Sequence, residues 1–252
     1  MTDEGRPLAP AFYARRSAAS GGAWADWWVL LHPPYTLWHL SYVAIGATIA
    51  SRFDGGRLVA TLVAFFLAVG VGAHALDELH GRPLRTAIPG WLLAAAAAVS
   101  LAGAVALGIV GLARVGLGLG VFIVVGVALT VGYNLELFGG RLHNDVVFAA
   151  AWGAFPLLTG YYAQVATLRF PAVAAAAAAY WLSAAQRSLS TPARALRRHV
   201  TSLEGTIAYR DGHAAPITTA AALAPLETAL RATARAVVAL AIALVVYRLT
   251  DA

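Results

Sequence analysis

The stretch LAGAVALGIVGLARVGLGLGVFIVVGVALTVG, residues 101–132, decides the fold class, because Arg114 is its only charged residue. It belongs to two apolar runs, at about 89–112 and 115–137, and each approaches the length at which a helix crosses a membrane, about twenty residues. Glycine and alanine are dense in both runs, and such small residues let membrane helices pack closely. The stretch therefore predicts two adjacent membrane-spanning helices.

The whole chain has the composition of an integral membrane protein. Of its 252 residues 60% are hydrophobic and only 12% are charged, whereas a soluble domain is about 25% charged. Mean hydropathy is +0.71. Further apolar segments run over about 34–50, 57–75, 145–165, 170–186 and 230–249. We expect an all-α, polytopic membrane bundle of about seven transmembrane helices around a central cavity.

Arginine placement predicts the orientation of this bundle. All 18 basic residues are arginine, and the formal net charge is +6. Cytoplasmic segments of membrane proteins are enriched in basic residues, and a cytoplasmic N-terminus with seven crossings places most arginines inside. Residues 1–27 are expected to form a disordered cytoplasmic tail, residues 28–252 one transmembrane domain, and 186–229 a basic cytoplasmic loop. The basic charge is assigned to topology and to lipid phosphates, not to a nucleic-acid partner.

Several kinds of site are excluded by residues that the sequence lacks. There is no cysteine, which excludes disulfides, thiolate nucleophiles and cysteine-ligated metals. The G-x-S-x-G, Walker A and H-E-x-x-H motifs are also absent, so neither a serine hydrolase nor a zincin is supported. Chemistry must therefore come from carboxylates, histidines and arginines.

The first polar cluster is HALDELHGRPLRT, residues 74–86, between two apolar segments. His74, Asp77, Glu78 and Arg82 recur at spacings of three and four, which places them on one face if the helix continues to Arg82. Ionisable side chains at membrane depth are costly and usually functional. The alternative is a helix-end cap in which Asp77 or Glu78 pairs with Arg82.

A second cluster, YNLELFGGRLHND, spans residues 133–145. Gly139 and Gly140 predict a tight turn, and Asn144 or Asp145 is suited to cap the next helix. This capping role competes with a functional role for the polar residues. Glu136 is harder to explain by capping, because its neighbours are membrane-like.

The third cluster, QRSLSTPARALRRHVTSLEGTIAYRDGH, spans residues 186–213 and is basic. Pro192 predicts the first turn of a new helix after Ser190 or Thr191, with arginines facing water. Membrane-surface anchoring explains such a helix. Alternatively the arginines hold a phosphorylated substrate, since guanidinium binds phosphate in a bidentate manner.

Two of these stretches resemble the UbiA superfamily of intramembrane prenyltransferases. LHPPYTLWHLSYVAIGATIA, residues 31–50, resembles the family's first helix. GAHALDELHGRPLRT, residues 72–86, occupies the place of its first aspartate-rich motif and continues into Arg82-Pro83-Leu84. The resemblance implies an enzyme that binds an isoprenyl diphosphate through magnesium and transfers the isoprenyl group to a lipophilic acceptor. It covers roughly residues 30–200, but the second acidic motif is replaced by the basic third cluster.

The combined interpretation assigns four kinds of site residue. Asp77 and Glu78 are the predicted catalytic residues. The predicted metal ligands are His74, Asp77, Glu78, Glu136, His143 and Asp145. The predicted diphosphate-binding residues are Arg82, Arg141, Arg187, Arg194, Arg197 and Arg198. The predicted cavity residues are Trp38, His39, Tyr133, Asn134 and Tyr162.

Three hypotheses remain open from the sequence. The chain is a divergent prenyl-transferring or prenyl-diphosphate-processing enzyme with one magnesium ion and arginines in place of a second. Alternatively it uses a mixed histidine and carboxylate site for iron, manganese or zinc, since such ligands suit these metals better than magnesium. In the third hypothesis it binds a membrane lipid and catalyses nothing.

Overall fold

The computed structural model describes residues 8–14 and 22–250, and almost all of this part of the chain is helical. The helices are α1 (Gly22–Leu30), α2 (Pro33–Thr48), α3 (Gly55–Gly81), α4 (Gly90–Val115), α5 (Leu119–Asn134), α6 (Asp145–Val165), α7 (Phe170–Arg198) and α8 (Thr219–Thr250). Two short strands, β1 (Thr206–Ala208) and β2 (Ala214–Pro216), pair antiparallel between α7 and α8. The predicted all-α bundle is confirmed as a mostly helical structure.

Within the described residues, four helices are long and apolar enough to cross a membrane, namely α3, α4, α6 and α8. α5 is apolar but shorter. Each of the seven apolar segments of the sequence lies mainly within one of the helices α2 to α8. Two helices contain a π-helical turn, Phe66–Ala73 in α3 and Ala150–Ala154 in α6. Such turns occur frequently at functional sites.

α2 lies at the centre of the bundle, where it packs against α6, α8 and α3. Glycine permits the closest of these approaches. A Cβ atom added to Gly46 would lie 2.0 Å from the carbonyl oxygen of Leu157, and one added to Gly160 would lie 2.2 Å from that of Val43. The backbones of α2 and α6 therefore touch, which is the contact that small residues make possible between membrane helices.

We expect Gly160→Ala to destabilise the bundle by about 1–3 kcal/mol, because α2 and α6 must separate to admit the methyl group. Thermal unfolding in detergent, followed by circular dichroism, measures this loss. Gly81→Ala is the matched control, since nothing lies within 4 Å of a Cβ at that position. Equal melting temperatures for the two variants would contradict the close contact.

The structure differs from the sequence prediction in the third cluster. α7 runs without a break from Phe170 to Arg198, and Pro192 lies inside it rather than at the start of a new helix. The predicted loop at 186–229 is correspondingly shorter, because α8 begins at Thr219. Packing of Ser190 and Ala193 into the bundle continues the buried face of α7 past the proline.

The N-terminal tail also differs in part from the predicted disorder. Residues 22–27 belong to α1, and residues 8–14 pack against the bundle, with Ala9 and Ala11 buried. Residues 1–7 and 15–21 of the predicted tail lie outside the described residues. Tertiary contacts, which composition does not reveal, order the described part.

Candidate functional site

The three polar clusters meet at one end of the bundle. His80 Nε2 lies 3.9 Å from Glu136 Oε2, which joins the first cluster to the second. Arg187 Nε donates to Asp145 Oδ1 at 2.9 Å, which joins the second to the third. Arg85 donates to the carbonyl oxygen of Arg198 at 3.4 Å. This end of the bundle therefore collects polar groups from α3, α6, α7 and the segments between the helices.

At the opposite end the arginines hold helix ends together. Arg57 donates to the carbonyl oxygens of Ala163, Gln164 and Arg114. Arg248 donates to the carbonyl oxygens of Thr48 and Ala50. These side chains satisfy carbonyls that the ends of helices leave without a partner, so the arginines at this end are structural.

Glu78, a predicted catalytic residue, stabilises the loop that follows α3. Its side chain is fully buried and accepts hydrogen bonds from the backbone N–H of Leu84 and from the N–H and hydroxyl of Thr86. Arg82 ends the helix in a left-handed conformation and donates to the carbonyls of Thr86 and Ile88. Both residues therefore organise the loop after α3, which agrees better with the helix-end alternative than with catalysis.

Glu78→Ala is expected to lower the stability by roughly 3 kcal/mol, since it leaves buried N–H donors of the loop without an acceptor. The measurement is thermal or denaturant unfolding of the purified protein in detergent. Asp77→Ala serves as the control, because Asp77 is only partly buried and its loss leaves the loop contacts intact. A larger loss of stability for Asp77→Ala than for Glu78→Ala would refute this division of roles.

Tyr13, His32, Tyr35, Arg194 and Arg198 are among the residues that line a recess, which we call the polar mouth. Asp77 does not line it but interacts electrostatically with both arginines. The rings of His32 and His74 stack at 4.2 Å between centroids. In each ring Nδ1 is hydrogen-bonded to a backbone carbonyl oxygen, that of Leu30 for His32 and that of Gly70 for His74. Because a carbonyl only accepts, Nδ1 carries the proton in both rings and each Nε2 is left as an acceptor.

Burial is the main cause that lowers the pKa of His32 well below its ordinary value of 6.5, and the neighbouring His74 lowers it further. The ring is therefore neutral at pH 7. On α3, Asp77 follows His74 by one turn and interacts electrostatically with Arg194, Arg198 and His143. The mouth thus combines the neutral imidazole of His32 with guanidinium groups, one of which, Arg197, is paired with the lining carboxylate Glu227.

Among the other predicted phosphate-binding residues, two already have acidic partners. Arg197 pairs with the buried Glu227. Arg187 pairs with Asp145, donates to the Tyr133 hydroxyl at 3.2 Å and lies over the ring of Phe148. Arg141 is exposed. Arg194 and Arg198 are consequently the arginines best placed in the mouth.

The predicted metal ligands do not assemble into one site. Within residues 8–14 and 22–250, no group of three or more histidine or acidic side chains is placed to hold a metal ion. Glu136 lies 3.7 Å from His143 and 3.9 Å from His80, while Glu78 accepts from the loop after α3 and Asp145 pairs with Arg187. Asn144 caps α6 by accepting a hydrogen bond from the N–H of Val147. Asn144 is one of the two capping residues that the sequence predicted.

An apolar cavity of about 190 Å³ lies between α3, α4, α5 and α6. Arg57 and Arg114 line one end and Val69 and Trp152 the other. Sequence reasoning did not single out this cavity. The available signal was the run of small residues in α4 and α5, because Gly108, Gly111 and Gly126 all line it.

One layer of side chains separates the apolar cavity from the polar end. Trp152 lines the cavity, while its carbonyl accepts from His39 Nδ1 at 2.7 Å. Tyr133 packs edge-on against Trp152 at 5.8 Å and stacks on His143 at 4.4 Å. We call Trp152, Tyr133 and Val69 the aromatic layer. Its apolar side faces the cavity, and its polar side faces the polar end of the bundle.

The other predicted cavity residues lie elsewhere. Trp38 is buried in the core and donates to the Tyr42 hydroxyl. Asn134 donates to the Thr130 carbonyl in its own helix. Tyr162 stacks near Phe122 and meets Gly118, at the end of the bundle opposite the polar mouth. Packing, rather than a ligand, accounts for these positions.

Comparison with known proteins identified no relative. No protein-family model matches the chain, and neither a curated protein nor a solved structure matches it significantly. Function is therefore inferred from the geometry of the polar mouth and the apolar cavity.

Proposed function

We propose that the protein is a UbiA-like integral membrane enzyme that acts on an isoprenyl diphosphate, transferring the isoprenyl group to a lipophilic acceptor. The observation that carries the proposal is that the bundle contains both an apolar cavity and an arginine-lined polar mouth. Tyr133 links the two, because it packs against Trp152 at the cavity and interacts electrostatically with Arg194 at the mouth. This arrangement suits an amphiphile with a long apolar chain and an anionic head.

The proposal includes seven membrane crossings. The four long apolar helices make four of them, and α2, α5 and α7 make the other three. With seven crossings, the polar mouth faces the same side as the N-terminus. The arginine bias of the sequence favours the cytoplasm for that side. Phosphorylated isoprenoids would then reach the mouth from the cytoplasm.

The cavity dimensions support a long isoprenoid. Along α3 the lining residues run from Gly56 to Val69, which corresponds to about 20 Å at 1.5 Å per residue. An extended polypeptide advances about 1.2 Å per bond, and an extended isoprenyl chain is similar. A chain of about sixteen main-chain atoms therefore matches the length of the cavity. That is the main-chain length of a geranylgeranyl group.

The chemistry proposed for the mouth needs three events. Arg194 and Arg198 bind the diphosphate and neutralise the charge that it gains when the C–O bond of the substrate breaks. The allylic cation left behind faces the ring of Trp152 or Tyr133, which disperses its charge. The acceptor donates an electron pair to form the new bond and loses a proton to the Asp77 carboxylate.

Magnesium is the metal that the resemblance implies, and the chain's own ligands do not fit a protein-held ion. Glu78 is occupied by the loop, and the described residues contain no group of three ligands. We therefore derive no step through a metal. For the same reason the alternative of a histidine and carboxylate enzyme using iron, manganese or zinc finds no assembled site among the described residues.

A second candidate function is lipid binding without catalysis. It is favoured by the occupied state of Glu78, Arg187 and Arg197, which reduces the number of groups free for chemistry. Both functions predict binding of an anionic amphiphile, and only the enzyme releases diphosphate.

The decisive experiment uses the purified full chain in nanodiscs, with geranylgeranyl diphosphate and an aromatic or quinol acceptor. We expect release of diphosphate, and loss of that release in Arg198→Gln. Arg210→Gln is the matched control, because Arg210 is exposed on the β1–β2 hairpin. Binding without release in the wild type would reject the enzyme in favour of the lipid-binding protein, and absence of binding would reject both.

A further inference from the structure

The segment Leu8–Ala14, which we call the strap, crosses the polar mouth. At one end Leu8 packs beside Ala193, Leu223 and Leu230, which belong to α7 and α8. At the other end Ala14 packs against the cluster that contains Leu30 and Ala75. The strap therefore spans from one side of the bundle to the other over the groups that the proposed function uses.

Aromatic contacts hold the middle of the strap. The ring of Tyr13 lies 5.6 Å from that of His32 and 5.9 Å from that of Tyr35. Arg231 lies over the ring of Phe12 at 5.2 Å. Ala11, between these contacts and the recess, retains only 7% of its surface exposed. The polar mouth is thus closed above His32.

The strap also occupies arginines of the third cluster through its backbone. Arg197 Nη1 donates to the carbonyl of Ala9 and Arg198 Nε donates to the carbonyl of Pro10, each at 3.2 Å. These carbonyls are neutral acceptors. A phosphate oxygen is a charged acceptor, and hydrogen bonds between charged groups are roughly twice as strong as those between neutral ones.

Charge in the mouth favours such an exchange. Arg194 and Arg198 are close enough to repel each other. Asp77 offsets part of this repulsion, whereas the neutral carbonyls of the strap do nothing to compensate the remaining positive charge. An anion between the two guanidinium groups would compensate this charge. The strap is a short segment outside the helices, held by side-chain packing and two hydrogen bonds, so its displacement costs less than opening the core of the bundle.

We propose that the strap is a displaceable gate, in which the carbonyls of Ala9 and Pro10 hold the arginines until a phosphate-bearing head group replaces them and opens the mouth. This inference rests on the proposed anion site and adds a regulatory step to it. An anion that reaches the arginines must shift the strap, and without an anion the mouth stays closed to water and to small solutes.

Cysteine accessibility tests the gate directly, because the chain has no native cysteine. In the full chain carrying Ala11→Cys, in phosphatidylcholine nanodiscs, the rate of maleimide labelling is measured with three additions. These are inorganic pyrophosphate, geranylgeranyl diphosphate and the uncharged geranylgeraniol. We expect labelling at least tenfold faster with geranylgeranyl diphosphate and unchanged with geranylgeraniol; acceleration by pyrophosphate would show that the head group alone suffices.

Ala172→Cys is the control, since Ala172 is buried with Ala50 and Tyr161 in a cluster against which no residue of the strap packs. Its labelling should not respond to any addition. Ligand binding is measured in parallel by equilibrium titration, in the wild type and in Phe12→Ala. Loosening the strap should speed basal labelling at position 11 and tighten binding of the diphosphate several-fold.

The outcomes separate the gate from the proposed function. Diphosphate binding with unchanged labelling of Ala11→Cys would overturn the gate and leave the anion site in place. Equal acceleration by geranylgeraniol would overturn the competition between anion and carbonyls. Absence of diphosphate binding in both the wild type and Phe12→Ala would reject the anion site and the gate together.

Discussion

Asp77→Asn is expected to lower the rate of isoprenyl transfer by about 10²–10⁴-fold, the usual contribution of a general base. Asparagine has nearly the same shape as aspartate but cannot accept the proton that the acceptor loses. The measurement is product formation from geranylgeranyl diphosphate in nanodiscs, with binding of the diphosphate determined separately. Asp77 is the carboxylate next to Arg194 and Arg198 in the mouth, and Glu78 is buried in the loop.

The control for this prediction is Asp211→Asn. Asp211 is an exposed carboxylate of the β1–β2 hairpin that contacts His213, so its loss should leave the rate unchanged. An Asp77→Asn enzyme that keeps more than a third of the wild-type rate would show that another group takes the proton. Unchanged melting temperature in Asp77→Asn would exclude unfolding as the cause of a lost rate.

Ala104→Trp is expected to remove activity on the longest isoprenyl chains while leaving short chains accepted. Ala104 lines the apolar cavity near the middle of α4, where an indole occupies space that a long chain needs. If the indole prevents burial of about 100 Å² of chain, the loss is about 2.5 kcal/mol, or roughly 70-fold in affinity. Competition between geranyl, farnesyl and geranylgeranyl diphosphates measures the change in preference.

Ala102→Trp is the matched control for the cavity. Ala102 lies on the same helix but is exposed on the surface of the bundle and outside the cavity lining, so the indole there meets lipid. We expect its chain-length preference to equal that of the wild type. If both tryptophan variants keep the wild-type preference, the isoprenyl chain binds elsewhere.

The helical class of the fold was predictable from the sequence, because hydropathy and segment length are local properties. The seven apolar segments lie within α2 to α8 for this reason. Pro192 misled the prediction, since proline usually marks a helix start, whereas burial of Ser190 and Ala193 keeps α7 continuous. Packing between helices, which is not a local property, decided that boundary.

For the candidate site, the polar residues were visible but their partners were not. Asp77 and Glu78 are adjacent in sequence and chemically alike, and only the folded chain points one to the mouth and the other to the N–H groups of Leu84 and Thr86. Likewise Glu136, His143 and Asp145 looked like metal ligands by type. In the structure Glu136 faces the imidazoles of His80 and His143, Asp145 pairs with Arg187, and His143 Nδ1 lies 3.3 Å from the carbonyl oxygen of Tyr133.

The sequence by itself determined that this is a helical protein with helices apolar enough to cross a membrane, that it has no cysteine, and that its polar groups fall into three clusters. Those properties depend on composition and on short-range spacing. The tertiary structure alone decided that the clusters meet at one end, that an apolar cavity lies behind Trp152, and that residues 8–14 cover the arginines. Each of these facts depends on contacts between residues far apart in the chain, which no local pattern records.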